Sequence, residues 1–154
     1  MVSLEQKVEA LQAIGPFVGL PADRLRAVAQ AAEVVRFGAG EVIVRQGEPG
    51  DAVYALSEGT AEVWLEEDAQ RPVLLRTMGP GQLFGETAVL YHGPRSATIK
   101  AKTDVTTLRL GGPVFLGLLH ASPELAVRIA VILAQRLASD RRTLAAEPTA
   151  SGTA

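Results

Sequence analysis

The chain has no cysteine, which excludes disulfides, thiolate metal sites, iron–sulfur clusters and a cysteine nucleophile. That fits a reducing compartment. Histidine is almost as scarce: His92 and His120 are too few and too scattered for a metal triad, and His92 is expected as a solvated loop residue. Aromatic residues are 5% of the chain, with one tryptophan, Trp64, which alternates outward from Val63 and reads as a surface aromatic. Neither sign of charge dominates. The formal net charge is −2, so no direct nucleic-acid contact is indicated. No run of about 18 apolar residues appears, and no segment is expected to span a membrane. Glu5, Lys7 and Glu9 fall where a secretory signal would be continuously apolar, so the expected location is cytoplasmic. Gly-x-Ser-x-Gly is missing, as is the Gly-x-x-x-x-Gly-Lys-Ser/Thr loop of nucleoside triphosphate sites. An enzyme, a metal and a cofactor are therefore not expected.

What is present suits one globular domain. The chain has 154 residues, 47% apolar and 21% charged, enough to bury a core without the signature of disorder. Leu4, Val8 and Leu11 recur at helical spacing until Gly15-Pro16, and a second helix opens at Leu20-Pro21 with Leu25, Val28 and Ala29 on its apolar face. From Glu33 the period becomes two. Short strands are expected at Val35 to Phe37, Val42 to Arg45, Val53 to Leu56, Ala61 to Leu65, Leu74 to Met78, Ala97 to Ala101 and Thr106 to Leu110. Glycine and proline turns separate them at intervals of about ten residues, which argues for a sandwich, roll or barrel. Glu66-Glu67-Asp68 reads as a solvated hairpin turn. After Gly111-Gly112-Pro113 a short helix is expected over Val114 to Leu119. Ser122-Pro123-Glu124 then caps a long helix to about Leu144. The divisions are residues 1–32 helical, 33–110 β, 111–145 helical, and a tail, 146–154, expected to be disordered.

The chemistry concentrates between Phe84 and Thr98. Gly85 lets a backbone approach a ligand closely, and a short helix opening at Glu86 would aim unpaired N–H groups at an anion. Arg95 can fork onto phosphate oxygens, with Ser96 adding a donor. A carboxylate beside a phosphate would repel it, so Glu86 suits a sugar hydroxyl. The competing reading is a structural Arg95–Glu86 ion pair; the company of Gly85, Pro94, Ser96 and Ala97 favours the ligand.

FGETAVLYHGPRSAT, residues 84–98, resembles the phosphate-binding cassette of cyclic-nucleotide-binding domains, whose pattern runs FGE-x-A-L and then P-R-[ASTC]-A-[ST]. QGEPGD at residues 46–51 and EGTAEV at 58–63 match that family's glycine turns, and the resemblance covers roughly residues 10–145. It implies an α+β fold: an antiparallel, jelly-roll-like β-roll with N-terminal helices and a C-terminal helix pair acting as lid. It also implies a ligand, cAMP ahead of cGMP, in a non-catalytic regulatory domain. By position, Gly85 and Glu86 would meet the ribose, Glu86 through the 2′-hydroxyl. Arg95 would take the cyclic phosphate with Ser96 and the Ala97 amide. Thr87 and Ala88 belong to the ligand-facing cassette, although Thr87 stands where many members carry leucine or methionine. Val63 and Leu75 would wall the base and ribose. Catabolite activator proteins place hydroxyl residues over the adenine from the long helix; this chain has Asp140 and Arg141, and Arg141 is the expected base contact, by stacking or hydrogen bonding.

Two stripes run along that helix. Ala126, Ala130, Leu133, Leu137, Asp140 and Leu144 form one; Leu125, Ile129, Ile132 and Arg136 form the other. One should pack on the roll or lid the ligand, and the other could meet a twin helix in a homodimer. Arg128, Arg136, Arg141 and Arg142 read as a solvated basic face. A transcription factor of the catabolite-activator type would need a helix-turn-helix beyond Leu144, so output is expected through an effector domain or partner protein. The alternative function is a β-roll that has lost its ligand and serves as a dimerisation or docking scaffold.

Overall fold

The computed structural model describes residues 2–68 and 70–146. The tail expected to be disordered falls, beyond Ala146, outside the described residues. The helices are α1 (Leu4–Gln12), α2 (Ala22–Ala31), α3 (Glu86–Tyr91), α4 (Gly112–Ala121) and α5 (Pro123–Ala146), with a 3-10 turn at Gly15–Phe17. The strands are β1 (Glu33–Phe37), β2 (Val42–Val44), β3 (Ala52–Glu58), β4 (Ala61–Leu65), β5 (Val73–Met78), β6 (Leu83–Phe84), β7 (Thr98–Ala101) and β8 (Val105–Gly111). They form two antiparallel four-stranded sheets, ordered β1-β8-β3-β6 and β2-β7-β4-β5. The expected α+β architecture, an antiparallel β-roll between terminal helices, is the one observed.

Local chemistry explains the helix ends. The Ser3 hydroxyl accepts from the Gln6 N–H at 3.1 Å while the Gln6 side chain accepts from the Ser3 N–H at 2.8 Å, a reciprocal cap that starts α1. Ser122 accepts from the Leu125 N–H at 3.4 Å, with Pro123 in the first position of α5. α4 opens at Gly112, two residues ahead of the expected Val114, because Pro113 fits the first turn. α4 and α5 meet at 114°. Among the described residues, no single helix is long and apolar enough to cross a membrane.

Two apolar clusters share the β1-β8-β3-β6 sheet. Strand β3 is buried from Ala52 through Leu56, and its residues alternate between the clusters. Val53 and Ala55 face the helices, packing with Leu11, Phe17, Phe115, Leu125 and Ile129. Ala52, Tyr54 and Leu56 face the roll interior, with Val63, Met78, Phe84 and Ile99. Phe17, Phe84 and Phe115 are among the largest fully buried side chains, each worth about 1.5–3 kcal/mol relative to exposure. Burial on both faces makes this sheet the rigid base from which the cassette hangs.

Two outer-sheet expectations change. Glu66 is not simply solvated. Thr98 is fully buried, so its hydroxyl needs partners: it donates to the Glu66 carboxylate and accepts from the Gln46 N–H at 2.9 Å. Trp64 does face outward, but half-buried, with Lys100 Nζ 5.8 Å from its ring centroid.

Candidate functional site

Arg95 is the centre of the site. The turn at residues 46–51 grips its backbone: its N–H donates to Glu48 O at 2.8 Å, and its carbonyl accepts from the Gly47 N–H at 2.9 Å. The guanidinium then reaches under the cassette, donating from Nη1 to Gly85 O and from Nη2 to Ala52 O, both at 2.9 Å. Two glycines make room for it. A Cβ on Gly50 would lie 2.9 Å from Arg95 Nε, and one on Gly85 would lie 2.7 Å from Nη1. Gly85 also has φ +88°, a left-handed conformation that L side chains rarely adopt.

Arg95 is 6% exposed, yet among the described residues it forms no ion pair. Burial pushes its pKa below the ordinary arginine value, and nearby Tyr54, Asp51 and Glu86 partly offset that. A buried guanidinium held by neutral carbonyls has spare donors and uncompensated charge. Of its five N–H donors, two are used in the bonds above. The arrangement suits an anion.

Glu86 lies beside it, 2% exposed at the start of α3. It does pair with an arginine, but with Arg136 of α5 and not with Arg95. Arg136 Nη1 donates to Glu86 Oε1 and Nη2 to Leu83 O. Burial lowers the Arg136 pKa, and the Glu86 charge opposes that. Glu86 Oε2 is buried without a hydrogen-bond partner among the described residues, an open acceptor of the kind that a ligand hydroxyl satisfies.

Around these charges lie two spaces that share lining residues. The inner one, about 50 Å³, is lined by Gly85, Glu86, Thr87, Ala88, Arg95, Ser96, Ala97 and Val63, together with Arg76 and Arg136. It is smaller than the roughly 300–1,000 Å³ of small-molecule sites. The second is a groove of about 420 Å³, lined by Val63, Leu65, Leu75, Leu133, Leu137 and Leu144 with Arg76 and Asp140. Glu86, Thr87, Ser96, Ala97 and Arg136 line both, so the pair offers a phosphate-sized hole beside an apolar slot. Arg141 is exposed and lines neither. It lies five positions after Arg136, about 140° around the helix.

Arg76 and Arg136 are site residues that sequence reasoning missed. Arg136 continues the stripe of Leu125, Ile129 and Ile132; a charge ending an apolar stripe was the available signal. Arg76 was hidden by a bulge. Val63 pairs with Arg76 and Trp64 with Leu74, leaving Leu75 extra, so the consecutive Leu75 and Arg76 both line the groove. Arg76 Nη1 holds both Asp140 oxygens, at 2.6 and 2.5 Å. Its Nε is buried without a partner among the described residues. Both helix stripes thus engage this chain: Leu125 and Ile129 join the helical core, and Leu133, Leu137, Asp140 and Leu144 line the groove.

Comparison with known proteins agrees with this geometry. The family model described as cyclic nucleotide-binding domain matches residues 34–122. The cAMP-dependent protein kinase regulatory subunit of Emericella nidulans is 41% identical over 92 residues, 60% of this chain and 22% of that protein. The chain thus spans under a quarter of that relative's length. Among solved structures, the regulatory domain of Toxoplasma gondii PKA with cAMP superposes with a TM-score of 0.74 at 28% identity, covering 83% of this chain and 49% of that one. The regulatory subunit of a cAMP-independent protein kinase A from Trypanosoma brucei also gives 0.74, at 27% identity, covering 82% and 47%. Two proteins whose descriptions differ over cAMP match the fold equally, so the ligand must be argued from side chains.

Proposed function

The chain belongs to the cyclic nucleotide-binding domain family, and from that premise we propose that it is a regulatory module sensing a cyclic nucleotide, cAMP ahead of cGMP. Arg95 takes the cyclic phosphate, helped by Ser96 and the Ala97 amide. Glu86 accepts from the ribose 2′-hydroxyl through its open Oε2, and Gly85 lets the sugar approach. Thr87 and Ala88 border the phosphate, while Val63 and Leu75 wall the base. The observation that carries this reading is Arg95 itself: a buried cation without an ion-pair partner among the described residues, next to a carboxylate with one vacant oxygen. The assignment supplies each group with the partner it lacks.

Binding without transformation follows from the same residues, which supply charge and acceptors but no activated nucleophile. In this reading the signal passes through α5. Arg136 already ties that helix to Glu86, and Leu137 and Leu144 stand over the groove. A nucleotide entering the groove buries those side chains further and draws the helix down. The shift can be only as large as the difference in ligand affinity between the two helix positions. An effector domain or partner protein that contacts α5 would read it.

A second reading, a scaffold without ligand, draws on the small inner space and on the likeness to a subunit described as cAMP-independent. Calorimetric titration of the parent and Arg95→Ala with cAMP and cGMP separates the two. The sensor reading expects binding by the parent and a loss of roughly 2–5 kcal/mol in the variant, as when one partner of a buried charge pair is truncated. Equal affinity in both proteins overturns the assignment of Arg95, and no binding by the parent favours the scaffold.

A further inference from the structure

The turn at residues 46–51 places Arg95 from two sides, and that turn is itself held at its first residue. Gln46, Thr98 and Glu66 close a ring of hydrogen bonds. The Gln46 N–H donates to Thr98 Oγ1 at 2.9 Å, the Thr98 hydroxyl donates to Glu66 Oε1, and the Glu66 N–H donates to Gln46 Oε1 at 2.6 Å. A fourth bond, from Gln46 Nε2 to Glu67 Oε2 at 2.9 Å, ties the same amide to the next residue of the hairpin. The directions are forced. A backbone N–H can only donate, so Thr98 accepts from Gln46 and must aim its own hydrogen at Glu66. Thr98 is fully buried, so its hydroxyl has no bulk water to turn to if that acceptor is lost.

None of the three residues lines either space of the site. Their reach is through the chain. Thr98 follows Arg95 by three positions, and Gln46 immediately precedes the Gly47 N–H that holds the Arg95 carbonyl. Glu66 follows Leu65 of the groove wall. The ring thus fixes the arginine end of the site against the strand pair that walls the groove. Resting on the cyclic-nucleotide reading above, we propose that Glu66 is a positioning residue for Arg95, setting through Thr98 and Gln46 where the guanidinium meets the phosphate. Without an acceptor at residue 66 the Thr98 hydroxyl must rotate or admit water, and the turn and strand start that flank Arg95 shift with it. Hydrogen bonds weaken steeply off their preferred geometry, so a displaced guanidinium holds the phosphate less well.

Charge and positioning predict opposite signs for the loss of Glu66. Removing a negative charge from the protein strengthens its attraction for an anion, so charge alone makes Glu66→Ala and Glu66→Gln both bind more tightly. Positioning makes Glu66→Ala bind more weakly and Glu66→Gln recover, because the glutamine oxygen still accepts from Thr98. The test is calorimetric titration of the parent, Glu66→Ala, Glu66→Gln, Thr98→Val and Arg95→Ala with cAMP, beside urea unfolding of each. Glu66→Ala and Thr98→Val should bind about fivefold or more weakly, the lower end of couplings between separate sites. Glu66→Gln should match or exceed the parent. A mere strut would lower the unfolding midpoint of Glu66→Ala and leave the affinity of the folded protein unchanged. The inference is overturned if Glu66→Ala binds as tightly as the parent or tighter, or if Glu66→Gln loses as much as Glu66→Ala. Should Thr98→Val fail to fold, the two Glu66 variants decide alone. Arg95→Ala separates the two readings: if it loses affinity while Glu66→Ala does not, the cyclic-nucleotide reading stands and this inference falls. A parent that binds no cAMP counts against both.

Discussion

Replacing Arg136 with methionine should cost far more than losing a surface charge. The side chains of Arg136 and Glu86 are 14% and 3% exposed, and their contact joins α5 to the cassette. Methionine keeps much of the apolar stem but strands the Glu86 carboxylate, whose second oxygen already lacks a partner. It also removes the donor to Leu83 O. Breaking a buried pair from one side costs about 3–5 kcal/mol, a large fraction of the roughly 5–15 kcal/mol that holds a domain together. At about 2–4 °C per kcal/mol for a chain of this size, the melting temperature falls by roughly 6–20 °C. Urea unfolding followed by circular dichroism measures the change as a shift in midpoint at constant slope. The double variant Glu86→Gln/Arg136→Met has no stranded charge, so it should recover more than about 1 kcal/mol relative to the sum of the singles. A single-variant cost under about 1 kcal/mol, typical of exposed pairs, or strict additivity, would refute the claim that this pair is a buried tie.

Three further outcomes follow from the same geometry. Gly85→Ala places a side chain at φ +88° and a methyl 2.7 Å from Arg95 Nη1; it should lose about 1–2 kcal/mol of stability from the backbone alone, read by urea unfolding, and bind cAMP more weakly. Phe115→Ala, emptying a fully buried position in the helical core, should cost about 3–5 kcal/mol in the same assay while leaving any cAMP affinity of the folded protein intact. Cyclic-nucleotide affinity should be flat from about pH 6 to 8, because arginine stays protonated there even when burial lowers its pKa. Lowered folded-state values mean that the charged forms of Arg95 and Arg136 weigh against folding at every pH below them, with relief only in strong alkali. An affinity that fell between about pH 6 and 8 would contradict the expected flat profile.

The sequence made the roll legible because its strands alternate and its turns are marked by glycine and proline. β6 escaped because two residues, Leu83 and Phe84, have no period, and they pair only because β3 already offers Tyr54 and Ala55 across the sheet. Arg95 and Glu86 could be found from order and spacing, since the cassette is local. Their partners could not. Arg136 arrives 50 residues later on a helix whose packing sets its phase, and Arg76 reaches the groove only through the Leu75 bulge. Sequence shows that an acid and a base lie near one another along the chain; it does not show which arginine a carboxylate will choose once α5 has folded back.

The most direct test is a crystal structure of the protein grown with cAMP. The account predicts the cyclic phosphate within hydrogen-bond reach of the Arg95 guanidinium and the 2′-hydroxyl on Glu86 Oε2, with Arg136 still on Oε1. A nucleotide bound elsewhere, or seated with its phosphate away from Arg95, would contradict it.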